Sequence, residues 1–234
     1  MCGRARLSTD FAELRIRFAI PPEQPAPNLP ARWNLAPMQD SVIVHLNEAG
    51  RRMFDVARWS LLPSWAKEPK LPYATFNAKA DGIATRPAFR DAFARRRCLV
   101  PFDSFYEWRT NGRDKQPYAV ALASGEVMGV AGLWETWRSP EGETIRSFTV
   151  ITTAARGVVA QLHHRMPAVL RPEAWPRWLG EEPATPGELE AVLAGSGGED
   201  MRLWPVSRAV GNVRNDSPEL IAPVPLPEQS GLLI

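Results

Sequence analysis

The sequence predicts a single α+β domain with an antiparallel, β-barrel-like core flanked by short helices. Several short apolar or β-branched runs are separated by turn signals such as Asn111-Gly112 and Glu141-Gly142, as in sheets built from hairpins. The chain has 234 residues, 44% of them hydrophobic, which suffices for one large core. Its 23 prolines indicate many short elements joined by rigid turns. We place the domain at residues 1–228 and a C-terminal tail at 229–234.

The first third of the chain predicts one helix and one hairpin. Thr9 or Asp10 can cap a helix whose apolar side chains between Phe11 and Phe18 fall on one face. Two β-branched runs, 41–46 and 53–59, flank a turn sequence and predict an antiparallel pair.

The rest of the chain predicts further short strands and helices. Apolar runs of strand length occur at Cys98–Phe102, Pro117–Leu122, Val127–Leu133, Ser147–Thr152 and Leu203–Ser207. Helical spacing occurs near 87–95, 156–162, 172–179 and 186–193. Cys98 lies within one of the apolar runs, so we expect it in the core. The proline-rich segment from Pro218 onward is expected on the surface.

Composition limits the classes of function. No run approaches the roughly 20 apolar residues of a membrane span, and the N-terminus is not typical of a signal peptide, so we expect a cytoplasmic protein. Two cysteines and three histidines without ligand spacing predict no metal and no cofactor. The net charge is only +2, yet arginine supplies all but four of the 28 basic residues, beside nine tryptophans. Arginine and aromatic rings suit single-stranded nucleic acid, although codon bias would also explain the arginine.

The first four residues, Met1-Cys2-Gly3-Arg4, suggest an unusual nucleophile. Removal of Met1 would leave Cys2 with a free α-amine and a thiol on adjacent carbons. Both groups are partly deprotonated near neutral pH, and together they can close an aldehyde into a five-membered thiazolidine ring. Arg4 beside the thiol is expected to lower its pKa. An ordinary surface thiol would have the same sequence.

Polar groups in apolar surroundings supply candidates for proton transfer. Glu107 lies between Tyr106 and Trp108, where partial desolvation would suit it as a proton donor and acceptor. A structural ion pair with an arginine is the alternative. His163 or His164 could transfer protons near neutral pH, or could simply be surface residues.

Eight blocks, taken in order, resemble the SOS response-associated peptidase (SRAP) family over nearly the whole chain. They are Met1-Cys2-Gly3-Arg4, Asn34-Leu35-Ala36-Pro37, Trp59-Ser60-Leu61-Leu62-Pro63-Ser64-Trp65-Ala66, Phe76-Asn77-Ala78-Lys79-Ala80-Asp81, Arg97-Cys98-Leu99-Val100-Pro101, Tyr106-Glu107-Trp108, Ala131-Gly132-Leu133-Trp134 and His163-His164-Arg165-Met166-Pro167. The resemblance implies a protein that binds single-stranded DNA and joins its N-terminal cysteine to an abasic-site aldehyde. Removal of Met1 by self-cleavage would account for the word peptidase.

The resemblance also implies roles for individual residues. Cys2 would be the nucleophile, Asn77 would hold the cysteine and the sugar, Glu107 would assist imine formation and its reversal, and His163 would promote opening of the sugar ring. DNA contacts would come from six positions: Arg4, Lys79 and Arg165 to phosphates, and Pro37, Trp65 and Trp108 to bases.

The chain departs from the family pattern at four positions. Lys79 and Asp81 replace the more usual arginine and glutamate, and lysine lacks the bidentate fork. His164 stands where aspartate is common, which leaves the orientation and pKa of His163 open. Ser104 replaces a glycine.

Three hypotheses follow. The first is covalent capture of abasic sites in single-stranded DNA by a monomer. The second is a glutamine amidotransferase, since those enzymes also mature to an N-terminal cysteine followed by glycine. The third is a noncovalent single-stranded DNA-binding module in which Cys2 has no role.

Overall fold

The computed structural model describes residues 2–112 and 114–226. The strands are β1 (Ala5–Leu7), β2 (Arg32–Leu35), β3 (Asp40–Leu46), β4 (Arg52–Trp59), β5 (Asn77–Lys79), β6 (Arg97–Phe102), β7 (Ser104–Asn111), β8 (Asp114–Leu122), β9 (Met128–Arg138), β10 (Thr144–Ala154), β11 (Arg165–Pro167), β12 (Val169–Leu170) and β13 (Met201–Pro205). The helices are α1 (Phe11–Arg17), α2 (Arg90–Arg95), α3 (Trp175–Leu179) and α4 (Pro186–Ala194). The predicted end of the domain at 228 and the tail at 229–234 lie outside the described residues.

Five strands close into a barrel. β10 pairs with β4, β4 with β3, β3 with β6, β6 with β9, and β9 returns to β10. Four of these pairings are antiparallel and the β4–β10 pairing is parallel. The predicted α+β class and barrel-like core are confirmed, with one parallel closure that the sequence did not indicate.

A second sheet, in the order β13-β8-β7-β1-β2, covers one side of the barrel. Successive side chains along a barrel strand point to opposite faces, so one set packs toward this second sheet and the alternate set packs toward the helices. On the side of the sheet, Phe105 and Leu35 pack in one core with Trp59, Val100 and Phe148 of the barrel. A second core joins the helices α1 to α4 to the alternate barrel residues, such as Val44 and Leu99.

The predicted helix and hairpin of the first third are confirmed. The Asp10 side chain accepts a hydrogen bond from the backbone N–H of Glu13 at 2.9 Å and so caps α1. The hairpin β3–β4 pairs Val42 with Val56.

Other predicted boundaries were wrong in part. Residues 156–162 contain a 3₁₀ helix at Gly157–Gln161, and the helix predicted near 172–179 begins with a 3₁₀ turn at Pro172–Ala174. The segment after Pro218 is not confined to the surface, because Leu220 is 4% exposed. No helix in the described part of the chain is long and apolar enough to cross a membrane.

Candidate functional site

The N-terminus is held beside β7 by strand pairing. β1 runs antiparallel to β7 with Ala5 opposite Phe105, and the backbone N–H of Tyr106 donates to the carbonyl of Arg4 at 3.0 Å. This register places Cys2 near Glu107. β7 was not predicted, because Phe105, Tyr106 and Glu107 are all buried and show no alternation of apolar and polar residues.

Asn77 contacts Cys2 directly. Its Nδ2 donates a hydrogen bond to the Cys2 carbonyl oxygen at 2.7 Å. Asn77 opens β5, which runs parallel to β10 with Asn77 opposite Val150. The Oδ1 atom of Asn77 is buried and has no hydrogen-bond partner among the residues that the structure describes. A buried acceptor of this kind is typical of a site that awaits a donor from a ligand.

The thiol of Cys2 is buried, with 0% exposure. Burial raises its pKa well above the ordinary range, and the nearby negative charge of Glu107 acts in the same direction. A contact of the thiol with the Arg4 carbonyl oxygen lowers the pKa of the thiol but does not outweigh burial, and the expected effect of the Arg4 guanidinium is not among the causes. The Arg4 guanidinium points to other acceptors, donating to Asn34 Oδ1 at 3.0 Å and to the carbonyl oxygen of Gly211 at 3.0 Å.

Glu107 connects the thiol to His163 electrostatically. Its side chain is 6% exposed overall, and its charge acts on both Cys2 and His163. One carboxylate oxygen, Oε1, also accepts from the backbone N–H of Trp108 at 3.3 Å. The fold thus brings Cys2, Asn77, Glu107 and His163 into one site.

His163 is oriented by the backbone. Its Nδ1 lies 2.9 Å from the backbone nitrogen of Arg165 and 3.2 Å from the carbonyl oxygen of the same residue, so it can accept from the N–H or, when it carries the ring proton, donate to the carbonyl. The ring of His164 stacks on it, with centroids 4.2 Å apart and planes at 26°. Desolvation lowers the pKa of His163, the His164 ring contributes in the same direction, and Glu107 opposes both. The backbone of Arg165 and the stacked ring of His164 therefore position the His163 ring without a carboxylate at position 164.

A family model described as SOS response associated peptidase (SRAP) matches residues 1–213 of the chain. The chain belongs to the SRAP family. It is 35% identical over 222 residues to the abasic site processing protein YoqW of Bacillus subtilis, covering 94% of this chain and 99% of that protein. It is 31% identical to abasic site processing protein YedK of Escherichia coli (96% and 100% covered) and 30% identical to HMCES of Gallus gallus (97% and 79%).

The SRAP fold has also been seen in solved structures. A crystal structure of a protein from Bacteroides thetaiotaomicron superposes with a TM-score of 0.83 and 22% sequence identity, covering 95% of this chain and 100% of that one. At this identity the likeness shows the shared fold.

The predicted phosphate contacts of this SRAP chain differ in accessibility. Lys79 is exposed on β5. Arg165 is buried at 8% exposure, where its Nε donates to Thr152 Oγ1 at 3.1 Å and its Nη1 pairs with Asp81 at 3.1 Å. The Arg165 guanidinium is thus engaged with protein groups in this structure, and its contact with a phosphate stays a prediction. Arg4 is likewise engaged with protein acceptors.

The predicted base contacts also differ. Trp65 is 50% exposed and is tethered by a hydrogen bond from Nε1 to the carbonyl oxygen of Pro87 at 3.2 Å. Pro37 and Trp108 are half-buried. Trp65 thus offers the largest free aromatic face of the three.

Sequence reasoning missed the part played by Asn34 and the segment around residues 208–216. Asn34 is fully buried, and its Nδ2 donates to the carbonyl oxygens of Val210, Asn212 and Asn215 at 2.9–3.1 Å. Asp216 accepts from the backbone N–H of Asn34 at 3.0 Å. These hydrogen bonds hold residues 210–216 against β2, next to Gly211, which accepts from Arg4. The polar residues that follow position 210 were the feature of the sequence that could have indicated this contact.

No group of metal-ligating side chains occurs within 2–112 and 114–226.

Proposed function

We propose that this protein, once Met1 has been removed, captures abasic sites in single-stranded DNA through a covalent bond to Cys2. The observation that carries the proposal is the contact of Asn77 with Cys2, in a buried site that also holds Glu107 and His163. The relatives from Bacillus subtilis, Escherichia coli and chicken are each named abasic site processing protein, which supports abasic DNA as the substrate.

The reaction needs only the two groups of the N-terminal cysteine. The α-amine adds to the aldehyde carbon of the ring-opened sugar, and loss of one water gives an imine. The Cys2 sulfur then adds to the same carbon, and the thiol proton passes to the nitrogen. The product is a thiazolidine, which joins protein and DNA through one C–N and one C–S bond, and one water is released for each crosslink.

The neighbouring side chains supply proton transfer. Because the buried thiol is protonated, it needs a base, and we assign this role to Glu107, whose charge acts on the thiol. With its ring proton on Nδ1, directed at the Arg165 carbonyl oxygen, neutral His163 can accept a proton from the closed sugar at Nε2 and so promote ring opening. The buried Oδ1 of Asn77 can accept a hydrogen bond from the α-amine or from a sugar hydroxyl.

Removal of Met1 is a necessary first step in this scheme. While Met1 is attached, the nitrogen of Cys2 is an amide and cannot form an imine. Hydrolysis of the Met1–Cys2 bond, for which the thiol and Glu107 provide a nucleophile and a base, would release methionine and free the amine. This step fits the peptidase in the family's name.

DNA binding would rest on phosphate charge and on stacking. Trp65 precedes the site residue Asn77 in the sequence, and Lys79 follows it. Both are exposed, and they provide one aromatic face and one cation. Such contacts do not read bases, so binding should show little sequence preference.

The proposal is tested with a single-stranded oligonucleotide that carries one abasic site. We expect the protein to give a band that resists heat and detergent on a denaturing gel. Cys2→Ala should abolish this band while leaving noncovalent binding. Cys98→Ala is the matched control, because Cys98 is equally buried but lies in the core between β3 and β9. A band that persists in Cys2→Ala, or that fails to form with wild-type protein, would refute the proposal.

A further inference from the structure

The Arg165 guanidinium is oriented by Thr152 and meets Asp81 at the surface. Its Nε donates to Thr152 Oγ1 at 3.1 Å, and its Nη2 donates to the carbonyl oxygen of the same residue. Its Nη1 donates to Asp81 Oδ2 at 3.1 Å. The Arg165 side chain is 10% exposed, whereas that of Asp81 is 83% exposed. Thr152 therefore holds the guanidinium from within the protein, and Asp81 covers it from the solvent side.

Lys79 lies on the same face of the sheet as this guanidinium. β10 lies between β5 and β11, with Lys79 opposite Thr152 on one side and Arg165 reaching Thr152 from the other. Ala78 packs in the core that contains the helices, so its neighbours Asn77 and Lys79 face the opposite side. The two cations thus lie on either side of Thr152, on the face that carries Asn77.

The Asp81 carboxylate has the chemistry of the anion that such cations bind. A guanidinium donates to carboxylate and phosphate oxygens in the same geometry. An ion pair with an exposed carboxylate contributes little free energy, because water solvates the carboxylate almost as well. A phosphate oxygen can therefore replace Asp81 on Nη1 while Thr152 keeps the guanidinium oriented.

We propose that Asp81 occupies the phosphate position on Arg165 in the free protein and so determines how tightly single strands are held. The inference rests on the single-stranded DNA binding of the proposed function and on the predicted phosphate contact of Arg165. It adds an internal competitor, which weakens noncovalent binding to every single strand. The covalent bond at Cys2 does not depend on this competition, so the protein releases undamaged DNA and stays at abasic sites.

The first test measures affinity for an undamaged single-stranded oligonucleotide by fluorescence anisotropy. Asp81→Asn should raise the affinity about two- to fivefold, as for loss of an exposed ion pair. Asp81→Glu keeps the carboxylate and should bind as wild type. Glu190→Gln is the matched control, because Glu190 is exposed on α4 and lines the same cleft of about 320 Å³ as Asp81. Equal gains in Asp81→Asn and Glu190→Gln would overturn the proposal.

A double-mutant cycle separates competition from simple repulsion of DNA by Asp81. In an Arg165→Gln background the competed group is gone, so Asp81→Asn should give no gain in affinity. A gain of the same size in both backgrounds would overturn the proposal. Circular dichroism checks that Arg165→Gln is folded, and if it is not, the comparison with Glu190→Gln decides.

Capture kinetics distinguish competition from a structural role of the ion pair. The rate of crosslinking to an abasic oligonucleotide is measured against protein concentration. Asp81→Asn should lower the half-saturating concentration by the same factor as the dissociation constant and leave the limiting rate unchanged. The backbone of Arg165 contacts the His163 ring. A slower limiting rate with unchanged half-saturation would therefore show that the pair positions His163, and would overturn the competition.

The outcomes separate the two proposals. If Asp81→Asn does not bind undamaged DNA more tightly, the role of Asp81 is overturned, and covalent capture by wild-type protein is unaffected. If wild-type protein forms no covalent product, capture is overturned, whereas the affinities for undamaged DNA still test Asp81. Failure of both wild type and Asp81→Asn to bind the undamaged strand would overturn the inference about Asp81.

Discussion

Burial governs the reactivity of Cys2 at the scale of single residues. Its thiol is fully buried beside the charge of Glu107, and both raise the pKa of the thiol. Such a thiol does not react as a free thiolate in solution. In the proposed capture it would therefore depend on the α-amine to attack first and on Glu107 to take its proton. This order favours aldehydes over the other electrophiles that surface thiolates attack.

The pair His163 and His164 leads to a prediction about pH. Desolvation and the His164 ring lower the pKa of His163, so His163 stays neutral to more acidic pH than the ordinary value of about 6.5. Replacing His164 by aspartate substitutes a charge that favours protonated His163, which raises the pKa. The fall in capture rate on the acid side should then begin at higher pH in His164→Asp.

The measurement is the ratio of variant to wild-type capture rate between about pH 5 and pH 8. Taking the ratio cancels the titration of the α-amine, which both proteins share. His164→Asn, which is uncharged, should give a smaller displacement than His164→Asp. A ratio that is constant with pH, or an acid limb that moves to lower pH, would show that His164 does not tune His163.

At the scale of elements, β1, β5, β7 and β10 position the site. β1 pairs with β7 and so brings the N-terminus to Glu107, while β5 pairs with β10 and so brings Asn77 to Cys2. The end of β10 pairs with β11, with Ala154 opposite Arg165, which sets the turn that carries His163. Cys2, Asn77 and His163 thus lie at or near the ends of short strands, whereas Glu107 lies within β7.

The hairpin β3–β4 contains an ion-pair cluster that should contribute to stability. Asp55 accepts from His45 Nε2 at 3.1 Å and pairs with Arg146 of β10. Burial alone would raise the pKa of Asp55, but the His45 hydrogen bond and the Arg146 charge together hold it below the ordinary value. We expect Asp55→Asn to lower the free energy of unfolding by about 1.5–3 kcal/mol at neutral pH.

The effect should depend on pH with a definite sign. Because the pKa of Asp55 is depressed in the folded state, its contribution is full above the unfolded pKa of about 3.9 and is lost as pH falls through the lower folded value. Urea unfolding of wild type and Asp55→Asn at several pH values should show that the difference in their free energies of unfolding becomes smaller as the pH falls. Asp91→Asn, at a side chain that is 57% exposed, should change stability by less than about 0.5 kcal/mol. If the difference in unfolding free energy between wild type and Asp55→Asn did not vary with pH, the stabilising role of ionised Asp55 would be contradicted.

Sequence patterns predicted the elements that have local signals. The Asp10 cap, the hairpin β3–β4 and the apolar strand at Cys98 all follow from residues close together in the chain. β7 did not, since both of its faces are buried and its hydrophobic alternation is absent. The contacts of Arg4 were also beyond sequence reasoning, because its acceptor Gly211 lies 207 residues away.

At the scale of the whole molecule, the predicted phosphate-binding cations differ in whether protein groups already engage them. Arg4 and Arg165 are engaged with protein acceptors, whereas Lys79 is exposed. In a Cys2→Ala background, where binding is reversible, we expect affinity for single-stranded DNA to fall as salt rises. Each phosphate contact adds about −0.7 to the slope of log affinity against log salt.

Lys79→Gln should therefore make the slope shallower by about 0.7, measured by fluorescence anisotropy across a salt series. Lys115→Gln is the matched control, because it removes the same charge from the exposed start of β8. Equal changes in the two variants would indicate a general charge effect in place of a contact at Lys79. Affinity independent of salt would refute the phosphate-binding part of the proposal.

The central claim is that the N-terminal amine and thiol of Cys2 together bond the DNA. Intact mass spectrometry of the protein, alone and after reaction with an abasic oligonucleotide, tests it most directly. We predict a protein lighter than its sequence by one methionine, and an adduct equal to this protein plus the oligonucleotide minus one water. An adduct that retains Met1, or whose mass shows no loss of water, would contradict thiazolidine formation at Cys2.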